Sequence, residues 1–316
     1  YRKEMTGELD ETQLRDIEER LNYLRNLETR KLEVIRLIDE QGKLTDELRA
    51  SIEQAVKLQE VEDLYRPYRQ KRKTRASVAK ERGLEPLANW MLAQPRQGSL
   101  EQEAAKYVDA DKQVATAEDA IQGAMDIIAE QIADDAKIRA WVRKFTHDQG
   151  ILITEAKDAE QESVYEMYYA YQEPVRKLPP HRILAINRGE REEVLKVRLD
   201  VPVERIHDYI AKQLIKGDSV VKDVLRLTVE DAYKRLIAPS IEREVRAELT
   251  EKAETHAIRI FAENLRNLLL QPPVKGKVVL GVDPAYRTGC KLAVVDSTGK
   301  KLHIDVVYPT PPHNKV

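Results

Sequence analysis

The chain has 316 residues, 42% of them hydrophobic and 34% charged, and a net charge of −2. That length supports about two domains with a sizeable core, and the near-neutral balance excludes a global field drawing the chain to nucleic acid, so any such contact must come from local patches. The single cysteine, Cys290, excludes an internal disulfide framework and suits a reducing cytosol, so a cytoplasmic location is expected. No apolar run approaches the ~20 residues that span a bilayer, so no membrane partner is expected. The six histidines are scattered without helical i, i+4 pairing, so neither a metal site nor another cofactor is expected.

In chain order, Asp10 with Gln13 predicts a capping box. Leu14, Ile17, Leu21, Leu24, Val34, Ile35 and Ile38 then keep helical spacing to Gly42. Thr45 opens a second helix, with Leu48, Ile52 and Val56 on one face. Leu64–Ala76 follows, crowded with Arg66, Arg69, Lys71, Arg72, Lys73 and Arg75, and with Tyr65 and Tyr68 among them. Pro67 disfavours a helix through it. Cations interleaved with aromatic rings suit a nucleic-acid backbone track, because the cations neutralise phosphates and the rings stack on bases. A solvated basic loop paired with neighbouring acidic helices fits the same composition.

Pro86 marks another helix start, Ser99 with Gln102 a second capping box, and Thr116 with Asp119 a third. Ile121, Met125, Ile128 and Ile132, then Ile138, Val142 and Phe145, continue dense helical packing to Gly150. The tyrosines of Val164–Tyr171 are expected to pack at helical spacing rather than stack on bases. Arg182–Asn187 and Glu192–Leu199 flank Arg188-Gly189-Glu190-Arg191, which predicts a β-hairpin with Gly189 in the turn. Pro202 opens a helix, the next runs to about Ile237, and a long helix follows from Pro239 to Leu270. Pro272-Pro273 stops it, and Gln271–Gly276 is the expected domain boundary.

After that boundary the pattern changes to strands. Val278–Val282, Lys291–Val295 and Leu302–Tyr308 predict a β-meander whose first strand delivers Asp283 at its carboxyl end. Two-metal nucleases need several carboxylates around a pair of ions, so Asp283 is a candidate metal ligand; the other reading is a turn-forming Asp before Pro284. Seven cationic residues against three acidic ones make Lys275–Val316 locally basic, and Arg287 and Lys291 flank the turn where a phosphate backbone would pass. Three strands alone leave an open edge, so a longer polypeptide is expected.

The motif GVDPAYRTGCKLAVVD at Gly281–Asp296 resembles the opening of the YqgF-type RNase H-like domain of the Tex family of bacterial transcription accessory proteins. EDLYRPYRQKRKTRA at Glu62–Ala76, ERGLEPLA at Glu81–Ala88 and YYAYQEPVRKLPPHRILAINRGE at Tyr168–Glu190 carry the likeness along nearly the whole chain. Ala285 departs from the commoner pattern, where Gly often follows Asp-Pro. The resemblance implies a mainly α fold with an elongated multi-helical region, and the reading of the residues places it over 1–271 with one β-hairpin near 182–199 and a long connecting helix near 239–270. The first strands of an α/β RNase H-like domain would follow over 276–316. It also implies a non-catalytic scaffold that binds RNA or DNA with little sequence specificity and works beside the transcription machinery. The basic composition, rather than the resemblance, makes Arg66, Arg69, Lys71, Arg72, Lys73, Arg75, Arg287 and Lys291 the candidate nucleic-acid contacts, and the resemblance implies that Asp283 is a vestige of a lost cleaving site. Two rival readings are a metal-dependent RNase H-like nuclease using Asp283 and a protein-interaction scaffold.

Overall fold

The structure is a computed structural model, and it describes Glu4, Gly7 and residues 9–272, 274–285 and 288–309. Two compact units divide the chain between Glu254 and Thr255.

The first unit opens with helix α1 (Glu11–Asp39), capped by Asp10, whose carboxylate accepts from the Gln13 N–H. Helices α2 (Asp46–Gln54) and α3 (Leu58–Tyr65) fold back on it. Leu27, Val34, Ile38, Ile52 and Val61 make a small apolar core of their own. A larger core begins with α4 (Arg75–Glu81), α5 (Glu85–Ala93) and α6 (Leu100–Ala105), all packed against α7 (Ala117–Asp134). Helix α8 (Ala136–Gln149) follows after a one-residue break, where Asp135 caps it by accepting from the Lys137 and Ile138 N–H groups. No buried residue belongs to both cores.

Strands β1 (Ile151–Ala156), β2 (Ala170–Pro174) and β3 (Leu195–Asp200) form an antiparallel sheet with β1 in the middle. Ile151 lies opposite both Pro174 and Asp200. This corrects the hairpin expected near Arg182–Leu199. Pro180–Arg191 is helix α9, and only the segment after it is a strand. Pro180 sits in the first turn, where its fixed φ favours a helix, and Ile183 and Ile186 are buried at helical spacing. Gly189 supplies close approach rather than a turn: a Cβ there would lie 2.7 Å from Leu195 Cδ1 and 3.1 Å from Tyr165 Cδ1. The tyrosine cluster is packed as expected, but on a 3₁₀ turn and on β2 rather than on a helix. Tyr165 and Tyr168 are buried, and Tyr168 meets Tyr171 edge-on at 5.4 Å.

Helix α10 (Val203–Leu214) precedes α11 (Lys222–Asp231). The chain then passes through a π-helical turn, Ala232–Ile237, directly into α12 (Ala238–Leu269). Pro239 therefore does not start a separate helix. A proline's ring clashes with the carbonyl four residues back, and the wider π turn before it accommodates that clash. Among the described residues, no helix is long and apolar enough to cross a membrane.

In the second unit, β4 (Val279–Asp283), β5 (Cys290–Val295) and β6 (Lys301–Val307) form the expected antiparallel meander. Leu280, Val282, Leu302 and Ile304 are exposed on it.

Candidate nucleic-acid interface

The basic stretch is a loop fixed at both ends. Pro67 turns the end of α3 into one 3₁₀ turn, Arg66–Tyr68. Gln41 Nε2 donates to the Tyr68 carbonyl at 2.9 Å and ties the turn to the end of α1. Downstream, the Thr74 hydroxyl accepts from the Ser77 N–H at 3.0 Å and caps α4. A recess of about 560 Å³ opens beside the loop, lined by Leu37, Glu40, Gln41, Tyr65, Arg69 and Gln70.

Helix α7 faces the loop. It buries Ala124, Ile127 and Ile128 and carries Asp126, Glu130 and Asp134 at four-residue spacing, which puts them on one side. Asp134 accepts from Arg66 Nε at 3.2 Å and from Lys71 Nζ, and Lys71 Nζ also lies 3.5 Å from Glu130. Asp126 accepts from Arg235 Nη2 at 2.8 Å. Burial pushes the Asp126 carboxyl up, against the pull of Arg235 and Arg75.

The predicted residues thus separate into groups. Arg66 and Lys71 are engaged by α7. Lys73 is exposed, with Glu81 at 3.6 Å. Arg75 is exposed and acts on Asp126 only through its field. Arg69 and Arg72 are exposed and, among the described residues, have no ion-pair or side-chain hydrogen-bond partner. Arg287 lies outside the described residues. Lys291 is exposed on β5, directly opposite Asp283 on β4, where opposite charges support the strand pair.

Asp283 is exposed, and the register separates it from the other carboxylates of the sheet. Asp305 pairs with Leu292, one position from Lys291, so it projects from the opposite face. The Asp296 carboxylate is occupied in its own turn by the Thr298 hydroxyl and by the Thr298 and Lys300 N–H groups, which hold it below its ordinary value. Among the described residues, no group of three His, Cys, Asp or Glu side chains is placed to hold a metal ion.

Sequence reasoning missed a buried ion cluster behind the loop. Asp63 of α3 accepts from Arg139 Nε at 3.1 Å and Arg143 Nη2 at 3.0 Å. Glu244 of α12 takes the same two guanidinium groups, Arg143 Nη2 at 2.6 Å, and Ser240 adds a hydroxyl at 3.1 Å from Arg139 Nη2. Burial pulls Arg139 below its ordinary value; at Arg143 burial acts the same way, but the bonds to Asp63 and Glu244 outweigh it. The one sequence signal was Arg139 and Arg143 at i, i+4 on a helix whose apolar face is Ile138, Val142 and Phe145.

Comparison with known proteins follows the same segments. A Tex-like N-terminal domain matches residues 1–39, the Tex central region matches 96–261, and a Tex YqgF-like domain matches 277–316. The chain belongs to the Tex family. The Bacillus subtilis protein YdcI is 58% identical over 100% of this chain and 44% of its own length. The transcriptional accessory protein Tex of Neisseria gonorrhoeae is 43% identical over 98% of this chain and 41% of its own length. The human S1 RNA-binding domain-containing protein 1 is 32% identical over 98% of this chain and 32% of its own length. The chain therefore spans less than half the length of each of these relatives.

Proposed function

We propose that this Tex-family chain is a non-catalytic, nucleic-acid-binding part of a transcription accessory protein. The observation that carries the reading is the fixed loop that presents Arg69 and Arg72 to solvent, with no ion-pair or side-chain hydrogen-bond partner among the described residues. Cations held on an anchored backbone neutralise phosphates at little ordering cost, and backbone contacts carry no base sequence. The relatives' names support a role in transcription and contact with RNA. The nuclease alternative needs converging carboxylates around Asp283, and Asp305 and Asp296 point elsewhere.

The test is anisotropy of labelled single- and double-stranded DNA and RNA between about 50 and 200 mM salt. Arg69→Ala and Arg72→Ala should each weaken binding equally for all sequences and lower the salt slope by about 0.7–0.9. An unchanged slope would remove the loop from the interface. Incubation with labelled DNA and RNA in Mg²⁺ or Mn²⁺ should give no cleavage; metal-dependent cleavage lost in Asp283→Asn would make the chain an enzyme.

A further inference from the structure

We propose that α7 masks part of the nucleic-acid surface: Glu130 and Asp134 occupy Lys71 and Arg66 as an internal substitute for phosphate, and a bound strand displaces them. The inference rests on the reading that this loop binds nucleic acid.

The geometry of α7 is that of a short linear polyanion. Carboxylates at 126, 130 and 134 stand about 6 Å apart along the helix, four residues at 1.5 Å each. The basic segment lies along this row in a graded way. Arg66 and Lys71 bond Asp134, Lys71 also reaches Glu130, and Arg75 acts on Asp126, which Arg235 already holds. Between these engaged positions Arg69 and Arg72 stay open, so one loop carries cations of two kinds.

The masked cations remain reachable. Side-chain exposure is 36% for Arg66 and 29% for Lys71, against 11% for Asp134. The carboxylate is the buried partner and the cations are the accessible ones, so a phosphate can approach without the core opening. The guanidinium or ammonium keeps a charge-assisted bond throughout the exchange, and the cost falls on Asp134, which is left buried without its cations. Arg69 and Arg72 supply the first hold, and local concentration then drives the exchange.

The experiment compares unaltered protein with Glu130→Gln/Asp134→Asn, and with Asp148→Asn as a control of like sign. Asp148 is exposed on α8. Binding of a labelled oligo(dT) strand and of a DNA duplex is measured across salt. In the unaltered protein the displaced carboxylates take up cations as two phosphates release theirs, so removing Glu130 and Asp134 should steepen the salt slope by up to about 1.4–1.8, two contacts at 0.7–0.9 each. It should also tighten binding at low salt by roughly tenfold or more. Asp148→Asn should change affinity little and the slope not at all. A double variant that behaves like the control overturns the masking while leaving the proposed function standing. If neither protein binds, both fall. Circular dichroism checks the fold. Should the double variant unfold, Lys71→Ala and Arg72→Ala decide in otherwise unaltered protein: a masked Lys71 costs the slope less than Arg72, and equal losses overturn the proposal.

Discussion

Asp63→Asn tests how the two apolar cores are joined. The Asp63 side chain is 4% exposed and lies between two guanidinium groups from α8. Its Oδ1 accepts from Arg139 Nε and Arg143 Nη2, and its Oδ2 lies 2.9 Å from Arg143 Nη1. Asparagine keeps the shape, removes the charge and turns an N–H₂ toward a cation. Glu244 then stands alone against Arg139 and Arg143, so net positive charge is left buried. Breaking a buried pair in this way costs about 3–5 kcal/mol. For a unit of this size, 1 kcal/mol moves the thermal midpoint by about 2–4 °C, so the expected fall is about 6–20 °C. Urea and thermal unfolding followed by circular dichroism read it. A cycle with Arg143→Met should show coupling, the double variant losing less than the sum of the singles. A loss below about 1 kcal/mol, the range of exposed ion pairs, would refute the claim that this cluster holds α3 to the larger core.

Gly189→Ala should cost about 1–3 kcal/mol in urea unfolding, because its Cβ would press on Leu195 and Tyr165; a neutral result would return Gly189 to a permissive turn role. Burial and Glu173 push the Tyr171 phenol up to about 12, and burial with Glu242 and Asp200 does the same at Tyr233. The unfolded chain loses these protons first, near 10, so stability should fall as pH rises from about 10 to 12. Ultraviolet titration of Glu173→Gln should show one phenol moving back toward 10, and an unmoved profile would break the assignment. Arg235→Met leaves Asp126 buried beneath Arg75 alone, and α7 should unfold at lower urea than in the parent, by about 1–3 kcal/mol.

Elements whose signals are local were legible in the sequence. Asp10 with Gln13 and Thr116 with Asp119 form the capping boxes that their spacing announced, whereas Pro239, read as a helix start, lies within a helical run continuous from Lys222. Arg182–Leu199 misled because Ile183 and Ile186 favour strands and Arg188-Gly189-Glu190-Arg191 reads as a turn. Pro179-Pro180 was the stronger signal, for a helix start, and burial of one helical face decided the matter. Strand β1 was hidden in the short apolar run Ile151–Thr154 after a helix. The basic loop was legible as composition only. Which cations were engaged depended on Asp134, 68 residues from Arg66 and 63 from Lys71, a pairing that no window of sequence contains.

The π turn has a mechanical consequence. Every fourth residue from Leu225 through Tyr233 and Ile241 to Ala253 is buried. On a helix of 3.6 residues per turn, a four-residue repeat advances about 40° per step, so the buried line climbs the shaft like a screw thread. The π turn slows that advance where Pro239 must pass. Successive neighbours sit at successive angles around the thread: Glu242 takes the Leu199 N–H of β3, Glu244 meets Arg143 of α8, and Arg246 Nη1 reaches Glu190 of α9 at 3.0 Å. Adding or deleting one residue within Ala232–Ile237 would rotate everything above it by about 100° and misalign all three fastenings at once. The shaft can therefore absorb many changes of side chain and almost none of length.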